Sequence, residues 1–172
     1  MVTPASTDPA QRVREVVQPV AETAGLVLED VHISPAGRRS VVRIVLDLGD
    51  DAIGSLDLDT LGAASRDISA ALDAADPVHG QYVLEVSAPG TDRPLTELRH
   101  FRRARTRLVL MTLRDGSTVH GRLVAAEADG YDVETAPGTV ARVDPAQVAR
   151  AAVEVELKHA PDEVPHDEED LD

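Results

Sequence analysis

The stretch that most constrains the fold is residues 84–95, which reads Leu-Glu-Val-Ser-Ala-Pro-Gly-Thr-Asp-Arg-Pro-Leu. Apolar and polar residues alternate over 82–87, and this period of two predicts a strand that ends at Ser87. Pro89 followed by Gly90 is typical of a type II turn, in which the glycine takes a positive φ. The chain must therefore turn a defined corner directly after a strand.

The second part of this stretch predicts a boundary. Pro94 disfavours the helical conformation for Arg93, so that residue is expected to be extended and a helix can begin only after it. We interpret the stretch as the junction between two domains, although turn chemistry alone favours a plain structural corner. The candidate junction residues are Ser87, Pro89, Gly90, Asp92, Arg93, Pro94 and Leu95.

The chain before the junction begins with a predicted helix over residues 9–24. Asp8 is a typical N-cap, and Pro9 suits the first helical position. Apolar residues then recur at steps of three and four, which is the period of one helix face. Gly25 suits the left-handed conformation that ends a helix.

Two strands and a second helix follow. Alternating patterns predict strands at 26–34 and 40–47, which should pair as an antiparallel hairpin. Asp59 is the expected cap of the second helix, and Pro77 bars its continuation. The order α-β-β-α-β places two helices on one face of a small mixed sheet over residues 8–95. The residues expected to share one apolar face are Val27, Val31 and Ile33 on the first strand, Val42, Ile44 and Leu46 on the second, and Leu61, Ala64, Ile68 and Leu72 on the helix.

The chain after the junction, residues 96–157, has a different pattern. Thr96 is the expected cap of a short entry helix. Short alternating runs separated by Asp-Gly, Pro-Gly and Asp-Pro pairs then predict a small closed or nearly closed β-barrel, in which Gly121 permits a sharp bend. Asp144-Pro145-Ala146-Gln147 predicts a single helical turn before the last strand. The five predicted strands are 108–112, 118–125, 131–135, 139–143 and 148–155.

Composition excludes several classes of site. The chain has no cysteine, six scattered histidines and three aromatic residues, which argues against thiolate or histidine metal sites and against aromatic platforms for RNA bases. Nucleophile-elbow, phosphate-loop and dinucleotide-binding motifs are missing, and so is the Gly-x-x-Gly loop that clamps nucleotides. We therefore expect that the protein is not an enzyme and that it binds neither a cofactor nor a metal ion. Without a signal peptide or a membrane-length apolar run, we expect a cytoplasmic protein.

Charge is distributed unevenly along the chain, whose net charge is −14. Residues 1–95 have a net charge of −8, residues 96–157 of zero and residues 158–172 of −6. We expect residues 1–7 to be flexible and residues 158–172 to form a disordered acidic tail. An acidic body attracts basic partners, whereas a local arginine cluster can contact phosphate. The candidate contacts to RNA phosphate are Arg93, Arg99, Arg102, Arg103, Arg105 and Arg107.

Residues 84–95 closely resemble the signature of the bacterial ribosome maturation factor RimP family, usually Leu-Glu-Val-Ser-Ser-Pro-Gly-Leu-Asp-Arg-Pro-Leu; Ala88 and Thr91 depart from it. The resemblance extends over about residues 8–155. It implies an N-terminal KH-like α/β domain and a C-terminal Sm-like (Src-homology-3-like) barrel. It also implies a non-enzymatic, monomeric assembly factor that binds the immature small ribosomal subunit and helps a basic ribosomal protein, small-subunit protein twelve, to join it.

Two other functions fit parts of the sequence. A stand-alone Sm-like RNA-binding regulator would need a ring oligomer with a basic inner rim, which the balanced charge of residues 96–157 does not favour. A hydrolase would need two carboxylates in a partly dry pocket, and most acidic residues here are expected at caps and in loops. We rank the assembly factor first, the RNA-binding regulator second and the hydrolase last.

Overall fold

The computed structural model describes residues 8–156, which form two sheets, of three and five strands, with three α-helices. The predicted α+β class is confirmed. The predicted flexible N-terminus at 1–7 and acidic tail at 158–172 lie outside the described residues. Within the described part of the chain, none of the helices combines the length and apolar character needed to cross a membrane.

The first helix, α1 (Pro9–Thr23), begins and ends as its sequence predicts. The Asp8 carboxylate accepts a hydrogen bond from the Ala10 N–H at 3.0 Å, which satisfies one of the free donors of the first turn. Gly25 adopts a φ of +72°, the left-handed conformation in which glycine is least strained. The buried face of α1 consists of Val13, Val17 and Ala21.

Strands β1 (Val27–Ala36) and β2 (Arg39–Asp47) form the predicted antiparallel hairpin, but β1 contains a bulge. The pairing register shifts between Leu28 and Asp30, so Glu29 is an extra residue in the strand. A bulge reverses the alternation of the residues before it. The prediction that Val27 shares a face with Val31 and Ile33 is therefore wrong: Leu28 is buried in the core together with Val31, Ile33 is partly buried against it, and Val27 lies on the other face.

The second helix, α2 (Leu58–Ala75), begins two residues earlier than predicted. Asp57, not Asp59, is the cap, because its carboxylate accepts hydrogen bonds from both the N–H and the hydroxyl of Thr60, at 2.8 and 2.7 Å. These two bonds favour the ionised form and hold the pKa of Asp57 below its usual value.

Strand β3 (Tyr82–Ser87) runs parallel to β2 and completes the first sheet. Both helices share one hydrophobic core with this sheet. The predicted apolar face of β2 is fully buried in that core, as are three of the four residues predicted for α2, while Leu61 is partly buried. These buried residues are Val42, Ile44, Leu46, Ala64, Ile68 and Leu72.

The turn after β3 differs from the type II turn predicted at Pro89 and Gly90. Gly90 does not adopt a positive φ, and the turn lies further on, where the Arg93 N–H donates to the Gly90 carbonyl at 3.3 Å. A Cβ at Gly90 would lie 2.6 Å from Oδ1 of Asp92. The glycine therefore allows the Asp92 carboxylate to approach the backbone rather than supplying an unusual dihedral angle.

The short helix α3 (Leu98–Arg103) follows, with Glu97 as its cap in place of the predicted Thr96. His100 explains this position, because its Nδ1 accepts hydrogen bonds from the N–H groups of Thr96 and Glu97, each at 3.2 Å. A buried histidine thus satisfies backbone donors at the start of its own helix.

The second sheet has five antiparallel strands in the order β7-β6-β5-β4-β8. The predicted helical turn before the last strand is present as a 3-10 helix at Pro145–Gln147. The strands are β4 (Leu108–Leu113), β5 (Thr118–Glu127), β6 (Gly130–Ala136), β7 (Thr139–Val143) and β8 (Val148–Val153).

The second sheet and α3 share a separate hydrophobic core. Phe101 of α3 stacks on Tyr131 within it, with 4.0 Å between ring centroids. Leu95 also packs there, and its N–H donates to the Ala151 carbonyl at 2.8 Å. The end of the junction stretch is therefore attached to β8. Below, the N-terminal half means residues 8–87 and the C-terminal half means residues 94–156.

Gly121 of β5 lies against the backbone of β6. A Cβ at this position would lie 2.8 Å from the carbonyl carbon of Glu134 and closer still to its oxygen. Both obstacles are backbone atoms, which cannot move without disturbing the strand pairing. The sequence predicted a sharp bend at Gly121, whereas the structure shows a close backbone approach as the reason for glycine.

We predict that Gly121→Ala lowers the free energy of unfolding by about 1–3 kcal/mol, the usual cost of overpacking. The matched control is Gly62→Ala in α2, where the nearest atom to an added Cβ is a flexible arginine nitrogen at 3.7 Å. This control should be neutral or stabilising by about 0.4–1 kcal/mol. Urea unfolding followed by circular dichroism measures both, and equal effects of the two substitutions would contradict the assignment.

Candidate functional site at the junction of the two halves

The arginine cluster predicted to contact RNA lies mostly against the N-terminal half. Within residues 8–156, five of its six members use their side chains in hydrogen bonds or ion pairs. Arg107 is the exception, because it is exposed and its side chain has no partner in that range. The cluster is therefore largely a structural feature of the junction.

Arg103 forms the most deeply buried of these contacts, with Asp47 at the end of β2. Its Nε lies 3.1 Å from Oδ2 and its Nη2 lies 2.9 Å from Oδ1, so the pair is bidentate. The side chains are only 7% and 6% exposed. The same guanidinium also donates to the carbonyls of Ala52 and Gly54, the second at 2.8 Å. One side chain of α3 thus binds both a strand end and the loop after it.

Glu29, the bulged residue of β1, is the second anchor of the junction. Its carboxylate lies 2.8 Å from Nη1 of Arg93, 2.5 Å from Nη2 of Arg99 and 3.5 Å from Nε2 of His100. The Glu29 side chain is 6% exposed. Two guanidiniums therefore stabilise one nearly buried carboxylate, which a lone cation would do less completely.

The loop that follows β2 supplies the remaining contacts. Arg99 lies 3.4 Å from the Asp50 carboxylate, and Arg105 donates to the Asp50 carbonyl at 3.2 Å. Arg102 instead stays within the C-terminal half, where it pairs with Glu127 at 3.1 Å. The loop is therefore fixed from the C-terminal half. Among the ion-paired arginines of the cluster, Arg102 has the most exposed side chain, at 31%.

His100 is held in its neutral form by its surroundings. Burial is the largest cause that lowers its pKa, and the neighbouring Arg93 guanidinium lowers it further, whereas Glu29 and Glu97 oppose the shift. A neutral ring also suits the hydrogen bonds already described, because Nδ1 must accept from two N–H groups. The histidine is therefore a structural acceptor at the centre of a charged cluster.

The junction stretch lines a hollow on each of its sides. A cavity of about 70 Å³ lies between the halves, and residues 88–91 form part of its wall. A larger groove of about 560 Å³ lies beside β1 and the start of α3. Pro89, Gly90 and Arg93 border both hollows, Leu95 borders only the cavity, and Ser87 and Pro94 border only the groove.

The acidic partners of the arginines were not identified from sequence. Asp47 directly follows the apolar face of β2, but Glu29 shows no local signal, because its position depends on a bulge. The partners are also distant in sequence: Asp47 and Arg103 are 56 residues apart, and Glu29 and Arg93 are 64 residues apart. Among residues 8–156, no group of three or more histidine and carboxylate side chains is placed to hold a metal ion.

Comparison with known proteins gives a consistent result. Residues 16–92 match the family described as the RimP N-terminal domain. The chain is 42% identical to the ribosome maturation factor RimP of Parafrankia sp. over an alignment of 181 positions. That alignment covers 87% of this chain and 58% of that protein. It is 49% identical to the Frankia casuarinae protein of the same name over 149 residues, with 78% and 54% covered. With that of Kineococcus radiotolerans the identity is 40% over 155 residues, with 82% and 74% covered. The chain thus spans little more than half the length of the first two relatives.

We predict that Asp47→Asn lowers the free energy of unfolding by about 3–5 kcal/mol, because it leaves a buried guanidinium without its counter-charge. The matched control is Glu85→Gln, which breaks an exposed pair with Arg43 at 2.7 Å. An exposed pair contributes only about 0–1 kcal/mol. Urea unfolding measures both variants, and a small effect of Asp47→Asn would mean that the buried pair does not stabilise the junction.

We predict that His100 makes the protein less stable as the pH falls below 6.5, the ordinary pKa of histidine. Below that pH the unfolded chain binds a proton that the folded chain binds only at lower pH, so stability is lost. His100→Asn keeps an acceptor near Nδ1 and should reduce this loss in thermal unfolding scans. The exposed His79→Asn is the control, and equal pH profiles for all three proteins would refute the prediction.

Proposed function

Because the chain belongs to the RimP family of ribosome maturation factors, we propose that it is a non-enzymatic assembly factor for the small ribosomal subunit. It binds the immature subunit and helps a basic ribosomal protein, small-subunit protein twelve, to join. The observation that carries this proposal is the relationship to relatives named as ribosome maturation factors, which includes 40% identity across 74% of one of them. We place the protein in the cytoplasm as a monomer without a cofactor.

We propose that residues 8–95 form a KH-like domain and residues 96–157 an Sm-like barrel. The order α-β-β-α-β of the first sheet and its helices supports the first assignment. Five antiparallel strands, with a single helical turn before the last, support the second. Residues 84–95 join the two domains and set the angle between them.

The acidic surface of the proposed KH-like domain is the candidate site for the basic ribosomal protein. Helix α2 and its C-terminal cap expose four aspartates, whereas Arg66 is the only cation on that helix. Such a surface attracts a cationic partner and repels phosphate. The four exposed residues are Asp59, Asp67, Asp73 and Asp76.

The candidate contacts to ribosomal RNA are the arginines of the cluster that do not neutralise a buried carboxylate. Arg93, Arg99 and Arg103 bind carboxylates of the N-terminal half, so their charge is used within the protein. Within the described residues Arg105 donates to backbone carbonyls, which leave its charge unneutralised. Arg107 is exposed, and the Arg102–Glu127 pair, with side chains 31% and 61% exposed, contributes little enough for a phosphate to replace it. We therefore narrow the candidate contacts to Arg102, Arg105 and Arg107.

We predict that Arg102→Gln, Arg105→Gln and Arg107→Gln together weaken binding to immature small subunits and reduce its salt dependence, because each phosphate contact contributes roughly one unit to the salt slope. The matched control replaces Arg38, Arg39 and Arg66 by Gln, which changes the charge equally on the N-terminal half. Co-sedimentation at low and moderate salt measures both. Equal affinities of the two triple variants would exclude this RNA contact, and failure of the wild type to bind subunits would exclude the function.

A further inference from the structure

The cavity between the two halves carries an excess of positive charge. Three arginines line it: Arg93 is paired with Glu29 and Arg103 with Asp47, whereas the charge of Arg107 is not neutralised within residues 8–156. This is unusual for a chain whose net charge is −14. We propose that the cavity binds one phosphate group.

Arg93 and Arg107 have the most hydrogen-bond donors to spare. Arg103 already uses four of its five N–H groups for Asp47 and two carbonyls. Arg93 uses Nη1 for Glu29, but its Nη2 and Nε donate no hydrogen bond within residues 8–156. Arg107 makes no side-chain hydrogen bond or ion pair in the same part of the chain. A ligand that accepts several charge-assisted hydrogen bonds can therefore be held without breaking an existing pair.

Neutral donors and the size of the cavity favour the same ligand. The hydroxyls of Ser55 and Thr91 line the wall, and neither forms a hydrogen bond within the described residues. A phosphate group offers several strong acceptor oxygens to such donors. The volume of about 70 Å³ is several times the roughly 10–15 Å³ that one water molecule needs, which suits one tetrahedral oxyanion better than a larger organic ligand.

The remaining walls strengthen the attraction. Leu56, Leu95, Ala104 and Val153 border the cavity, so part of its lining is apolar. Charges interact more strongly beside apolar groups than in open water. Ser55 belongs to the N-terminal half and Arg107 to the C-terminal half, so a bound phosphate would contact both and favour their present arrangement. That phosphate is either a free ion or part of an RNA backbone. The second alternative rests on the proposed function, because it requires the protein to bind RNA.

Calorimetric titration with sodium phosphate, against sodium chloride at equal ionic strength and pH, tests the site itself. The wild type should bind one phosphate saturably, and Arg107→Gln should weaken binding about tenfold, the effect of losing one charge-assisted contact. The matched control Arg150→Gln removes an exposed arginine outside the cavity and should bind as the wild type does. Absent saturable binding, or equal weakening by both substitutions, would overturn the proposal.

A second titration with a short single-stranded RNA distinguishes the two sources of phosphate. If RNA is the source, inorganic phosphate displaces it from the wild type, and Arg107→Gln weakens both ligands while Arg150→Gln weakens neither. If inorganic phosphate binds with the expected dependence on Arg107 but RNA binding is unaffected, the site stands as one for free phosphate. In that outcome the RNA contact at this cavity fails, whereas the phosphate site does not.

Discussion

The bidentate contact between Arg103 and Asp47 fixes how the two halves of the molecule meet. Each half has its own hydrophobic core, and the two cores share no residue. Because Arg103 also binds the carbonyls of Ala52 and Gly54, the loop after β2 is ordered by the same side chain. Glu29 adds a second ionic anchor on the other strand of the hairpin. The cavity and the groove beside the junction are both bordered by residues of the two halves.

A run of arginines in an acidic chain therefore has two possible uses, and the structure separates them. Arg93, Arg99 and Arg103 neutralise carboxylates that would otherwise be buried without a counter-charge, which is too costly to be tolerated. Arg107 neutralises no carboxylate within the described residues. The same cluster can thus hold the molecule together and still present a cation at its edge.

Much of the fold follows from local patterns, whereas the junction does not. Capping residues, apolar alternation and turn residues determine the limits of α1, the apolar face of β2 and the five short strands. Each of these signals lies within a few residues of the element that it predicts. The bulge at Glu29, the role of Gly90 and the arginine pairs depend on atoms dozens of residues away. The sequence predicted a turn after β3, but the residues that hold the junction could only be identified from tertiary contacts.

The ionic character of the junction gives it a different response to temperature from that of the two cores. The cores are held by apolar burial, which weakens on cooling. The cost of dehydrating buried charges falls as temperature rises, so heating lowers the penalty that the buried contacts of Arg103 and Glu29 carry. The orientation of the halves is therefore expected to persist on warming until one of the cores itself unfolds, and the molecule then loses its shape and its stability together.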